Sequence, residues 1–249
     1  MKVFFHHNFY TEYTGDPAAE SGRMEAVVEE IGDLAEFIPC IPATEETLLA
    51  AHTKAHLEYV KDEELFEIAA LAAGGAIQAA ETSMEEPSFA LIRPPGHHAS
   101  AGSCWGFCYF NNMAVSLYHL RAKKLIDRAF ILDFDLHYGD GNVNILGQED
   151  WVEILNPEAP DRGAYLEEVR TALAKTRADV IAVSAGFDNH LNDWGGLLHT
   201  SDYTTMAQWV RAAAVRNGGG CYGILEGGYN HNVLGGNVHA FLKGLLTTP

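Results

Sequence analysis

Short apolar runs rich in β-branched and aromatic residues recur along the chain at residues 3–5, 89–92, 130–132, 151–155, 180–183 and 221–225. Their length and residue types predict strands. The stretches between them carry helical spacing instead. Residues 202–217 set Met206, Trp209, Val210, Ala213 and Ala214 on one stripe, with Thr200 or Ser201 as N-cap and Gly218 as C-cap. Further helices are predicted over residues 65–84 and 112–124, the second capped by Asn111. Strands alternating with helices predict an α/β fold with a largely parallel central sheet and helices on both faces. No repeat, low-complexity tract or linker-like shift in composition divides the chain, so residues 1–249 read as a single domain.

A chain of 249 residues can bury roughly 70–75% of its unfolded surface, enough for one sizeable core without disulfides. Lys and Arg number 16 against 34 Asp and Glu, a formal net charge of -18. That balance repels nucleic acid and anionic membrane surfaces and tolerates cationic ligands, so no nucleic-acid partner is expected. The start, Met1-Lys2-Val3-Phe4-Phe5-His6, lacks a signal-peptide apolar region, and the uncharged stretch at residues 68–80 is too short to span a bilayer. The expectation is a soluble, cytoplasmic protein. Cys40, Cys104, Cys108 and Cys221 are too sparse for a disulfide framework; Cys104 and Cys108 read as small buried thiols or as a redox pair.

Chemistry enters at the ends of four predicted strands. Residues 89–92 lead to His97 and His98, 130–132 to Asp133, Asp135 and His137, 180–183 to Asp188, and 221–225 to Tyr229. Open parallel sheets bind ligands beyond the carboxyl ends of their strands. Residues two apart in an extended segment point the same way, so Asp133, Asp135 and His137 share a side while Phe134 and Leu136 take the other. Asp135 and His137 can then bind one ion, with Asp188 as third ligand. Two carboxylates and one imidazole suit a catalytic Zn2+ or Fe2+, with Mn2+ as a further option.

His97 and His98 follow Arg93-Pro94-Pro95-Gly96, a stiff approach ending in a residue that permits a tight turn. Each imidazole needs a partner to fix its tautomer, and Asp133 and Asp140 are available. Gly227 and Gly228, without side chains, allow unusual backbone angles and close ligand approach just before Tyr229.

These stretches, with Gly106-Phe107-Cys108-Tyr109-Phe110-Asn111-Asn112 between them, resemble the zinc-dependent histone deacetylase family. That family includes acetylpolyamine amidohydrolases and acetoin-utilisation-type deacetylases and has the arginase-like α/β fold. The resemblance runs in order from His6-His7 and Tyr13-Thr14-Gly15 to the segment after Tyr229. It implies Asp135, His137 and Asp188 as zinc ligands, and His98 with Asp140 as the proton-transfer pair. His97 with Asp133 would give electrostatic support, and Tyr229 would donate its hydroxyl hydrogen to the amide carbonyl. Gly106 and Phe107 would line the tunnel for the acyl-amine chain. A structural K+ near Asp133, Asp135 and the His137 carbonyl is also implied.

Departures from the family pattern are equally specific. Tyr138 stands where many members have a second His, and the span from His137 to Asp188 is much shorter than usual, without a Pro-Gly-Thr-Gly loop or its aromatic. One tunnel wall is therefore missing, rebuilt or supplied by a neighbouring copy in a homo-oligomer. Asn156 ends a strand where a hydroxyl often faces K+, and Arg23 either ties down the entry loop or begins a surface helix. The expected activity is removal of an acetyl or other short acyl group from an amine, and the acidic balance favours a cationic amine. Alternatives are a non-catalytic acyl-lysine or small-amine binder, and an arginase-like ureohydrolase, which would call for a two-metal cluster.

Overall fold

The computed structural model describes residues 1–247. The elements run β1 (Lys2–Phe5), α1 (Arg23–Ile31), β2 (Glu36–Pro39), α2 (Glu45–Leu48), α3 (Lys54–Asp62), α4 (Phe66–Ser83), β3 (Ser88–Ala90) and α5 (Asn112–Ala122). They continue with β4 (Ala129–Asp133), α6 (Asp140–Leu146), β5 (Val152–Leu155), α7 (Arg162–Lys175), β6 (Val180–Ala185), α8 (Thr200–Asn217), β7 (Gly220–Leu225) and α9 (His231–Leu246). One sheet takes the strands in the order β2-β1-β3-β7-β6-β4-β5, and every pairing is parallel.

Right-handed crossovers that travel in opposite directions along a sheet fall on opposite faces. The steps from β2 to β3, β3 to β4 and β4 to β5 travel one way, which gathers α4, α5 and α6 on one face. The steps from β1 to β2, β5 to β6 and β6 to β7 travel the other way, which puts α1, α7 and α8 on the opposite face, joined there by α9. Every residue of β3, β4, β6 and β7 is consequently buried. Beneath the carboxyl ends of these strands Phe134, Phe187, Tyr203 and Phe241 pack edge to face, with Phe134 and Phe187 centroids 5.7 Å apart.

All six predicted strands are present, and β2 is an additional one. It lies at the sheet edge, mostly exposed, so it lacks the apolar signature of a buried strand. Asn111 caps α5 as expected, accepting from Ala114 N at 2.7 Å, and Gly218 closes α8 in the left-handed conformation. The N-cap of α8 is His199 rather than Thr200 or Ser201. Asp202 accepts from His199 N at 2.8 Å, and the Thr200 hydroxyl bonds Asn237 instead. Cys108 is buried and Cys104 half-buried, and burial raises both thiols above their ordinary pKa. Among the described residues, no helix is long and apolar enough to cross a membrane.

The glycines of α4 are explained by close packing. A Cβ on Gly74 would collide with the Ile41 carbonyl, whereas one on Gly236 in α9 would meet nothing within 4 Å. Gly74→Ala is therefore expected to lower the unfolding free energy by about 2 kcal/mol through overpacking. Gly236→Ala is expected to raise it by about 0.5–1 kcal/mol through helix propensity. Urea denaturation of the two variants checks both signs.

Candidate functional site

The four strands that carry the chemical groups, β3, β7, β6 and β4, are consecutive neighbours, so their carboxyl ends open into one depression. Asp135 and Asp188 stitch these ends together. Asp135 Oδ2 accepts from Gly227 N at 2.9 Å and Oδ1 from His137 N at 2.9 Å, while Asp188 Oδ1 accepts from Leu136 N at 3.1 Å. Carboxylates beyond β4 and β6 are thus held by main-chain donors from β7 and β4. The fit leaves no room at Gly186, where any Cβ would run into the Asp135 carboxylate.

His137 completes this group, with Nδ1 3.2 Å from Asp135 Oδ1 and 3.0 Å from Asp188 Oδ2. One ligand atom from each of the three residues lies within 4.8 Å of the others. Among the described residues no Lys or Arg pairs with either carboxylate, and His137 Nδ1 is the one side-chain group paired with buried Asp188 Oδ2. By accepting hydrogen bonds from the His137 imidazole, the two carboxylates push it up to about 10, so the local field favours a cation. Buried carboxylates facing one imidazole fit a divalent ion.

A second cluster, His97, Cys108 and Glu226, also has ligand atoms within 4.8 Å. Its atoms are engaged elsewhere. Glu226 Oε2 accepts from Gly96 N at 2.7 Å and His97 N at 3.3 Å, Oε1 accepts from Ser184 Oγ at 3.2 Å, and Cys108 Sγ accepts from His98 N at 3.4 Å. No two-metal arrangement of the ureohydrolase type is assembled among the described residues.

Beside the carboxylates stand two buried histidines with ring centroids 4.0 Å apart. His98 Nδ1 lies 2.7 Å from Asp140 Oδ1, and His97 Nδ1 lies 3.2 Å from Asp133 Oδ2. Burial lowers His98 to about 4, and the neighbouring His97 adds to that fall against the pull of Asp140. At His97 burial is outweighed by Asp135 and Asp133, which hold its pKa well above the ordinary imidazole value. The surroundings thus push the two imidazoles in opposite directions. Asp133 is fixed in turn by Asn142 Nδ2 at 3.0 Å, which also donates to Ser184 Oγ at 3.2 Å.

Tyr229 and the two histidines border a narrow slot of 120 Å³ that also reaches His137. Pro95, Gly106, Phe107 and Gly227 line it. Gly106 and Phe107 both have positive φ, +59° and +67°, and a side chain at Gly106 would collide with the His98 ring. Phe107 meets the Tyr229 ring edge-on at 6.0 Å. Gly228, with φ of +117°, does not line the slot; Leu234 and Phe187 crowd it, and its carbonyl accepts from Arg23 Nε at 2.8 Å. Arg23 begins α1 but is fully buried rather than at the surface; Nη1 donates to the Ala18 carbonyl of the entry loop at 3.5 Å, and Nη2 to the Glu226 carbonyl at 2.6 Å. Burial, with Asp135 nearby, raises the Tyr229 hydroxyl far above its usual pKa and keeps it a donor.

Sequence reasoning missed the two tryptophans at the slot, Trp105 and Trp194, and Asp193, which binds the Tyr229 amide. The available signal was position. Each indole adjoins a turn glycine at the edge of a motif in a chain with only 4 Trp.

Residues 18–157 and 158–245 match the sequence model of the family described as Histone deacetylase domain. The "Crystal Structure of HDA15 HD domain" superposes with a TM-score of 0.84 at 24% identity, covering 98% of this chain and 89% of that one, which establishes the fold. A probable deacetylase of Methanothermobacter thermautotrophicus is 29% identical across 90% of this chain and 84% of its own length. A probable deacetylase of Archaeoglobus fulgidus is 31% identical across 88% of this chain and 74% of its own length. On these matches the chain belongs to the histone deacetylase family.

Proposed function

We propose that this protein hydrolyses an N-acetyl or other short N-acyl amide of an amine, with Asp135, His137 and Asp188 holding a zinc ion beneath the slot. One observation carries the reading: ligand atoms of Asp135, His137 and Asp188 converge within 4.8 Å of one another where His98 and Tyr229 also face the slot that reaches His137. A divalent ion in this donor set lowers the pKa of water toward about 7 and polarises a carbonyl. Iron(II) suits the same ligands.

The side chains divide the remaining work. His98, neutral and held through Nδ1 by Asp140, has Nε2 free to take a proton from the attacking water and return one to the departing amine. His97 beside it carries positive charge toward the reacting centre. Tyr229 donates its hydroxyl hydrogen to the carbonyl oxygen as negative charge develops there, a contribution of about 3–4 kcal/mol in comparable sites. Gly106 and Phe107 bring the acyl-amine chain against His98. The net charge of -18 favours a cationic amine, such as a lysine-containing chain or a polyamine. Potassium near Asp133, Asp135 and the His137 carbonyl has less support, because Asn156 Oδ1 accepts from Gly139 N at 2.8 Å. A mere binder has no use for His98, Asp140 and Tyr229 together.

Stripping with a chelator is expected to lower the melting temperature, and zinc at 100 times its Kd to restore about 2.7 kcal/mol of stability. Asp188→Ala should gain nothing from zinc, as calorimetry of both proteins will read. In acetate-release assays on acetyl-lysine peptides and acetylpolyamines, Tyr229→Phe is expected to lose about a hundredfold or more in kcat with its metal content intact. Asp140→Asn is expected to lose about 10²–10⁴-fold. Zinc-loaded wild type that releases no acetate from a broad panel of acylated amines would refute the deacylase reading.

A further inference from the structure

We infer that Trp194, set in place by Asp193, is the chain wall that the short β5–α7 connection leaves out, and that it also positions Tyr229. Together with Trp105 it closes the slot around the chain that carries the acylated amine. The inference rests on the deacylase reading and assigns its substrate shape.

Only residues 156–161 join β5 to α7, and beside Asp135 they border an open hollow of 540 Å³ rather than a wall. Trp194 comes from a different segment, the turn after Asp188. Its indole stacks on the Tyr229 ring at 4.0 Å and 23° and stands edge-on to His137 at 6.0 Å and 89°. Two fixed points hold that turn. Asp193 Oδ2 accepts from Tyr229 N and from Asn230 N, each at 2.8 Å, and Oδ1 accepts from Trp194 N at 2.8 Å. Gly195 N donates to the Asp188 carbonyl at 2.8 Å, and a Cβ on Gly195 would press on Leu136 Cδ1 at 2.8 Å. The wall is thereby tied both to a proposed metal ligand and to the electrophile.

Trp105 stacks on His98 at 3.9 Å and donates from Nε1 to Asp140 Oδ2 at 2.8 Å. Both indoles line the slot while staying about half exposed, Trp194 at 53% and Trp105 at 55%. Rigid aromatic surface left open to solvent beside a pocket is what binding anchors offer. At 120 Å³ the slot is well below the roughly 300–1,000 Å³ of pockets that hold drug-sized ligands, so it fits a methylene chain and rejects a branch. The indole faces also attract an ammonium carried farther along that chain. The chain's own residues build this wall, and a neighbouring copy is not required for it. Because Trp194 lies on Tyr229, loss of the indole loosens the electrophile as well as the chain.

The test uses zinc-loaded full-length protein and two probes, a linear alkyl hydroxamate and one branched at the carbon next to the chelating group. Calorimetry should show wild type preferring the linear probe by about tenfold, the scale of a methylene-sized misfit. Trp194→Ala, a change at a half-exposed side chain, should cut that preference below about threefold, while Trp194→Phe keeps most of it. On an acetylated linear amine Trp194→Ala and Asp193→Ala should both lose kcat by about tenfold at unchanged zinc content, the scale of a displaced reacting group. An unchanged probe preference and unchanged kcat in Trp194→Ala overturn the inference. Wild type that turns over no acylated amine yet shows the Trp194-dependent probe preference refutes the deacylase reading and leaves the wall standing.

Discussion

The structure turns on two carboxylates, Asp135 and Asp188, buried side by side with the Nδ1 of one imidazole, His137, within 3.2 Å of both. Like charges this close cannot share a dry site without compensation. Burial works against the Asp135 anion, but His97, His137 and the main-chain donors of His137 and Gly227 hold its carboxyl below the ordinary range. Asp188, with fewer donors, is pushed up to about 6 by burial and by the charge on Asp135. Main-chain amides satisfy most of this demand, and they can do so only because three parallel strands end at the same level. The parallel sheet is thus the device that collects enough N–H groups around two anions.

That constraint explains why the proposed metal ligands were legible in the sequence and other parts of the site were not. Asp133, Asp135 and His137 continue the alternation of a buried strand beyond its end, and Phe134 keeps the opposite side apolar. A two-residue period followed by polar groups can be read without coordinates. The strands β3, β4, β6 and β7 were equally readable because burial on both faces makes most of their residues apolar. At the sheet edge β2 has neither signal.

Arg23 and Trp194 escaped for different reasons. Hydropathy places an arginine at the surface, yet Arg23 is fully buried because the carbonyls of Glu226 and Gly228 meet its guanidinium. Those acceptors lie more than 200 positions away in the chain, with separations of 203 and 205, so no local pattern announces them. Trp194 sits in a turn with no period at all. Its role emerges only when the turn folds back over Tyr229 and the indole meets that ring.

Electrostatic order in the site follows from this uneven layering. The charged and hydrogen-bonded groups form a continuous buried chain from Glu226 through Ser184 and Asn142 to Asp133 and His97. Asp140 and His98 stand apart from it, nearer the slot mouth, with the Asp140 side chain 35% exposed. The inner pair is enclosed on its carboxylate side, with the Asp133 side chain fully buried, while the His97 ring borders the slot. The outer pair meets solvent through its carboxylate, whose second oxygen accepts from Trp105 Nε1. The two His and Asp pairs, at 4.0 Å ring separation, have equally buried imidazoles and differ in their carboxylates, enclosed Asp133 against part-exposed Asp140, and in the Asp135 charge beside His97. In the proposed mechanism the pair that meets solvent, His98 with Asp140, suits proton transfer, and the enclosed pair, His97 with Asp133, suits electrostatic support.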